Sequence, residues 1–244
     1  MEKILDNIIY GKHNVLNTIT SREVVKVFIQ KDKRNHEIVE EAKNRNVPFV
    51  YVDKFKLDSM TDRNNHQGVA CEISPINYLD IDGLISKVNN KKNPVIFIFD
   101  EITDVNNFGA ILRTCDAFSI DGIIFSKRRN VQVNMGVAKA STGAYNYVDM
   151  ARVTNIKQAI EKLKKNNFWV AHLDMDGEQE VSKVDFNMPI CIVIGGENKG
   201  ITDVMKKHCD FGISIPMTGH VNSLNIASAA AIIAFSATKG RNNE

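Results

Sequence analysis

From Pro94 onward, short apolar runs alternate with stretches whose apolar positions recur at helical spacing. PVIFIFD, GIIFS, YVDMARV, FWVAHLDM, PICIVIGG and FGISIP read as strands. NFGAILRTCDAF, NMGVAKASTGAY, NIKQAIEKLKKNN, GITDVMKKHC and NIASAAAIIAFSATKG read as helices. Strands alternating with helices imply a parallel sheet covered on both faces, so residues 94–244 are expected to form one α/β domain.

Residues 1–75 predict a separate small α/β unit. The helix GKHNVLNTI opens it, and VVKVFI, PFVYV and GVACEIS read as strands. Between them HEIVEEAKNRN sets Ile38, Val39 and Ala42 on one helix face. Residues 76–93 carry an amphipathic piece and then a polar, basic stretch, and are expected to be a linker.

Composition narrows the class. With 43% hydrophobic and 25% charged residues the chain is globular, not disordered or fibrous. No apolar run is long enough for a membrane span, and the N-terminal MEKILDNIIYGKHN has no signal-peptide core, so a cytoplasmic protein is expected. Cys71, Cys115, Cys191 and Cys209 form no C-x-x-C pair, and the six histidines form no H-E-x-x-H, so no metal site is expected. A net charge of +2 means that nucleic-acid binding must come from a local patch. Lys12, His13, Arg22, Lys31 and Arg34 outnumber acids on their side of the first unit; a solvated face is the plainer alternative.

In an open parallel sheet, ligands bind beyond the carboxyl ends of the strands. After PVIFIFD, Asn107 falls at a helix start and Arg113 lies six residues on, in an otherwise apolar helix. Arg113 is therefore either a functional cation or half of a structural salt bridge. After PICIVI comes GGENKG, where Gly195 and Gly196 let a backbone turn sharply and approach a ligand closely. Glu197 in that loop is a base, a ribose-binding group or the partner of a cation, and spacing does not rank these. IPMTGHVNSLNIASAAAIIAF sets Ser223, Leu224 and Asn225 beside a helix start, where N–H groups lack intrahelical partners. Either a ligand lies against that wall, or the segment is an N-cap and a tightly packed helix. The G-x-G-x-x-G and G-x-x-x-x-G-K-[ST] phosphate loops are absent, and Ser223 lacks a G-x-S-x-G elbow, which disfavours dinucleotide, P-loop and hydrolase chemistry.

NNFGAILRT, IVIGGENKG and IPMTGHVNSLNIASAAA, in that order, closely resemble the three motifs of the SpoU/TrmH family, which methylates ribose 2′-hydroxyls in RNA with S-adenosylmethionine. GKHNVLNTI and HQGVACEIS resemble, more loosely, the small RNA-binding domain of the bacterial branch that modifies a guanosine in 23S ribosomal RNA. The resemblance implies a Rossmann-like sheet with a C-terminal deep trefoil knot, a homodimer, and S-adenosylmethionine held by Gly195, Gly196, Ile215, Met217, Leu224 and Asn225. It carries the catalytic positions to Asn107, Arg113, Glu197, Ser223 and Asn225. Guanidinium stays protonated, so Arg113 is expected to orient the ribose and stabilise developing oxyanion charge. Lys12, His13, Arg22, Lys31 and Arg34 would contact RNA phosphates. A transfer RNA substrate, or a non-catalytic RNA-binding protein, are the alternatives.

Overall fold

The computed structural model of the chain describes residues 8–21, 24–33, 35–73, 78–128, 130–196, 200–221 and 223–241. Arg22, Arg34 and Glu197, three of the expected site residues, lie outside the described residues. Two compact units emerge, one of residues 1–77 with 132–147, the other of residues 78–131 with 148–244.

In the first unit a four-stranded sheet runs β1 (Ile8–Tyr10), β4 (Val69–Ile73), β2 (Val24–Gln30), β3 (Phe49–Val52). Among the described residues of this sheet only β2 and β3 are parallel, joined through α2 (His36–Asn44). Helix α1 (Lys12–Ser21) buries Val15, Thr18 and Ile19, and α2 buries Ile38 and Ala42. A helix the sequence pattern did not announce, α3 (Lys54–Met60), is capped by Asp53, whose side chain accepts from Lys56 N at 2.7 Å. The helix expected over 134–145 is shorter: α6 (Met135–Ala140), capped by Asn134, stops where Thr142 and Gly143 take φ of 52° and 91°. Left-handed backbone cannot continue an α-helix. It clusters with this first unit, where the Tyr145 and Thr18 hydroxyls meet at 3.4 Å.

The second unit holds a seven-stranded sheet among the described residues. Its order is β7 (Met150–Val153), β6 (Gly122–Ser126), β5 (Val95–Phe99), β10 (Ile190–Ile194), β8 (Trp169–Leu173), β11 (Phe211–Ser214), β9 (Gln179–Glu180), with every pairing parallel. All five residues of β5 and of β10 are buried, as the unbroken apolar runs require. On one face Ile96, Ile98, Val170, Cys191 and Val193 pack with α4 (Ile81–Val88) and α7 (Ile156–Lys165). Helices α5 (Val105–Ala117) and α9 (Ile226–Thr238) pack on each other. The span expected to be a linker thus contains α4, whose Ile81, Leu84, Ile85 and Val88 join the core. Cys71, Cys115 and Cys191 are buried, and burial pushes the Cys115 and Cys191 thiols far above their usual range.

The chain builds β5, β6 and β7 outward in one direction, then places β10 between β5 and β8. That reversal is a topological switch point, and a crevice opens at the carboxyl ends of the strands beside it.

Candidate functional site

A cavity of about 370 Å³ lies at the carboxyl ends of β8, β10 and β11. The loop after β10 supplies Gly195, Gly196 and Gly200, the loop after β11 supplies Ile215 and Met217, and Ser223 and Leu224 lead into α9. Gly200 N donates to Gly196 O at 3.0 Å, closing the first loop on itself. A Cβ on Gly195 would fall 2.6 Å from Ile201 N and 2.5 Å from Gly200 O, so only glycine lets the two backbone strands of this loop touch.

Five of the six residues expected at a cofactor line this cavity: Gly195, Gly196, Ile215, Met217 and Leu224. The sixth, Asn225, is not among the lining residues. It caps α9, its Oδ1 accepting from Ala227 N at 2.8 Å, while its Nδ2 donates to Asn107 Oδ1 at 3.0 Å. Asn107 in turn is fixed at the start of α5, where its N–H donates to the capping Asp104 carboxylate at 2.7 Å. Two motif residues 118 positions apart are thereby joined directly. Arg113 is on the exposed side of α5, opposite Phe108, Ile111, Leu112 and Cys115, and makes no ion pair or hydrogen bond among the described residues. The structural salt bridge weighed from sequence is not made among them.

The third wall was missed in the sequence reading. Leu173, the last residue of β8, and Asp174 and Met175, which follow it, line the cavity. Their position at the carboxyl end of the segment read as the strand FWVAHLDM was the signal that could have found them. Asp174 is paired with Lys206 at 2.5 Å. Burial alone would raise the Asp174 carboxyl, but the Lys206 hydrogen bond, the Asp176 and Met175 amides and the Lys206 charge together hold it below the usual carboxylate range. The same hydrogen bond raises the Lys206 ammonium. Asp174 therefore stays ionised on a mostly apolar, backbone-rich wall.

In the first unit, Lys12 and His13 are exposed at the head of α1, and Lys12 N donates to Gln67 Oε1 at 2.9 Å. Lys31 is exposed in the turn after β2. The Lys33 stem packs on Gly68, next to Gln67, so the 67–68 turn sits between the two groups of cations. Lys33, Lys54 and Arg63 line a neighbouring polar hollow of about 350 Å³. Among the described residues no cluster of three His, Cys, Asp or Glu side chains is placed to hold a metal ion. No described helix is long and apolar enough to cross a membrane.

Comparison with known proteins agrees with this geometry. The family model described as "SpoU rRNA Methylase family" matches residues 94–235, and one described as "RNA 2'-O ribose methyltransferase substrate binding" matches residues 8–79. A protein of Staphylococcus saprophyticus named for the TrmH family tRNA/rRNA methyltransferases is 40% identical, covering 99% of this chain and 98% of its own. One of Staphylococcus haemolyticus with the same name is 39% identical over 97% and 96%. Among solved structures, the SpoU methyltransferase AviRb of Streptomyces viridochromogenes in complex with AdoMet shares the fold with a TM-score of 0.79 at 22% identity, covering 96% of this chain and 90% of that one. The AdoMet-bound rRNA methyltransferase of Sinorhizobium meliloti does so with 0.79 at 20% identity, over 95% and 86%. The three motifs, the α/β sheet and these matches agree: the chain belongs to the SpoU/TrmH family of RNA methyltransferases.

Proposed function

We propose that the chain methylates the 2′-hydroxyl of a guanosine ribose in 23S ribosomal RNA, with S-adenosylmethionine as donor. The observation that carries the proposal is the convergence of separate motif segments on one cavity, with Asn107 and Asn225 bonded beside it. The cavity residues fit the donor. Ile194, Ile215, Met217 and Leu224 offer an apolar wall suited to a purine, and the glycines offer bare backbone N–H and C=O groups. Asp174 is an ionised acceptor suited to an ammonium group. S-adenosylmethionine, when bound, supplies an electrophilic methyl group.

The residues of the chain do the rest. Arg113, unpaired among the described residues, would orient the ribose and adjacent phosphate and stabilise charge developing on the 2′-oxygen. Asn107, Ser223 and Asn225 would align the hydroxyl with the methyl group, and Glu197 would brace Arg113 or its own loop. The loops after β10 and β11 would be the two strands of a trefoil knot, a reading supported by their sharing one cavity. A homodimer through the α5–α9 face is supported by an exposed Phe235, 55% accessible and edge-on to Phe118 at 6.1 Å. The first unit would hold the RNA through Lys12, His13, Lys31, Arg22 and Arg34, in keeping with the substrate-binding description that matches residues 8–79.

The test is methyl transfer from labelled S-adenosylmethionine into ribosomal and transfer RNA from cells lacking the gene, followed by mapping of the modified nucleotide. A 2′-O-methylguanosine in large-subunit RNA is the expected product. Label in transfer RNA would overturn the substrate, and label on a base would overturn the chemistry.

A further inference from the structure

The loop between β5 and α5 carries Asp104, the cap that fixes Asn107, yet it is not itself in a helix or strand. A loop of this kind holds its shape only if its backbone groups find partners. Those of Ile102 find them in a turn on the next connection. Ile102 N donates to Asn130 Oδ1 at 2.7 Å, and Ile102 O accepts from Val131 N at 2.8 Å. The donor on Ile102 fixes the amide orientation of Asn130, so its Nδ2 faces oxygens only. It reaches Ser126 Oγ at 2.9 Å, Ser126 O at 3.0 Å, Arg128 O at 3.1 Å and Asp100 O at 3.3 Å. Ser126 Oγ closes the turn by donating to Arg128 O. One half-buried side chain therefore ties the end of β6 to the loop leaving β5.

That loop meets the site twice. Two residues past Ile102, the Asp104 carboxylate accepts from Asn107 N at 2.7 Å, and Asn107 Oδ1 accepts from Asn225 at 3.0 Å. Glu101, the residue before Ile102, lies against Gly196: a Cβ built there would meet the Glu101 Cβ at 3.0 Å. We propose that Asn130 is a positioning residue for methyl transfer: by clasping Ile102 it sets the height of the β5–α5 loop, and so the aim of Asn107 and Asn225. This rests on the roles given to those two residues above. The Ile102 side chain, 1% exposed, anchors the loop independently, so removing the Asn130 amide should shift the loop without unfolding the domain.

The test compares Asn130→Ala and Asn130→Asp with the wild-type full chain. Aspartate keeps an acceptor for Ile102 N but turns one carboxylate oxygen, which donates nothing, toward the Ser126, Arg128 and Asp100 carbonyls. Steady-state methyl transfer is normalised to S-adenosylmethionine-binding sites counted by calorimetry, and amide exchange is followed at Ile102 and Asn107. Expected for Asn130→Ala are a kcat about 10- to 100-fold lower, as an ångström of misalignment produces, an RNA KM within about threefold of wild type, and faster exchange at both amides. Asn130→Asp should fall between. A kcat loss that vanishes on normalisation would make the role merely structural and overturn the proposal. So would unchanged exchange at Asn107. If the wild-type chain methylates no RNA, the functional reading fails instead, and the exchange data still decide whether Asn130 governs Asn107.

Discussion

Gly195→Ala is the most incisive perturbation of the cavity. The added methyl carbon would fall 2.5 Å from Gly200 O and 2.6 Å from Ile201 N, and both are backbone atoms that cannot rotate away. The loop must open to admit it, breaking the Gly200 N to Gly196 O bond of 3.0 Å. Overpacking of this kind costs about 1–3 kcal/mol. Because the loop is local and lies outside the sheet, it can open without unfolding the domain, so little of that cost should reach global stability. Binding, however, requires the closed loop to be remade. The same 1–3 kcal/mol should then appear as an S-adenosylmethionine Kd raised about 5- to 150-fold, read by isothermal titration calorimetry, with Tm lowered by at most about 3 °C. Gly240, which does not line the cavity, is the control: a Cβ there meets nothing within 4 Å. Gly240→Ala should hold Kd within about threefold. Wild-type affinity in Gly195→Ala, or equal losses in both variants, would refute the close-approach reasoning.

Other consequences can be measured separately. Arg113→Ala should lower methyl transfer at least about 100-fold with S-adenosylmethionine affinity unchanged by calorimetry; full turnover would remove Arg113 from the chemistry. Lys12→Ala with Lys31→Ala should flatten the dependence of log K for RNA on log salt by about 0.7–0.9 per lost contact, and an unaltered slope in filter binding would assign those lysines to a solvated face. The Asp174–Lys206 pair should shape stability against pH at both ends. The Asp174 carboxyl is depressed, so its contribution is present above the unfolded value near about pH 4 and is lost as acid protonates it in the folded state. The Lys206 ammonium is raised, so its share is complete below about pH 10.4 and is lost above. The Tm difference between wild type and Asp174→Asn with Lys206→Met should therefore be constant from about pH 5 to 9 and shrink beyond either limit; a difference that varies between those values would contradict the pairing.

Much of the larger sheet was legible because its signal is local. Five consecutive buried apolar residues in β5 and in β10 leave no other reading, and Asn155 before an apolar-periodic run marks the start of α7 directly. Elements that depend on neighbours were harder. The two-residue β9 and the three-residue β1 are too short to carry a period. The Asn- and Lys-rich residues 89–93 drew the whole of 76–93 toward a linker, although Ile81, Leu84, Ile85 and Val88 fall at helical spacing and mark a buried face. The 134–145 run looked like one more crossover helix, but Thr142 and Gly143 end it early and its contacts lie in the first unit.

The site was legible as residue types and illegible as geometry, for a reason that lies in the strand order. Nothing local to Asn107 says that it will meet Asn225, 118 positions on. What brings the motifs together is the insertion of β10 beside β5, in a register that pairs Phe99 with Ile194. Parallel neighbours in register end together, so the residues leaving them, Asp100 and Glu101 beside Gly195 and Gly196, must emerge side by side. Glu101 against Gly196 is the direct consequence. Were β10 at the edge of the sheet, the same three motifs would be present and no common cavity would form. Asn130 makes the same point in miniature. It stands in a polar turn with no motif around it, and its weight comes only from a backbone amide 28 residues upstream that the sheet delivers to it.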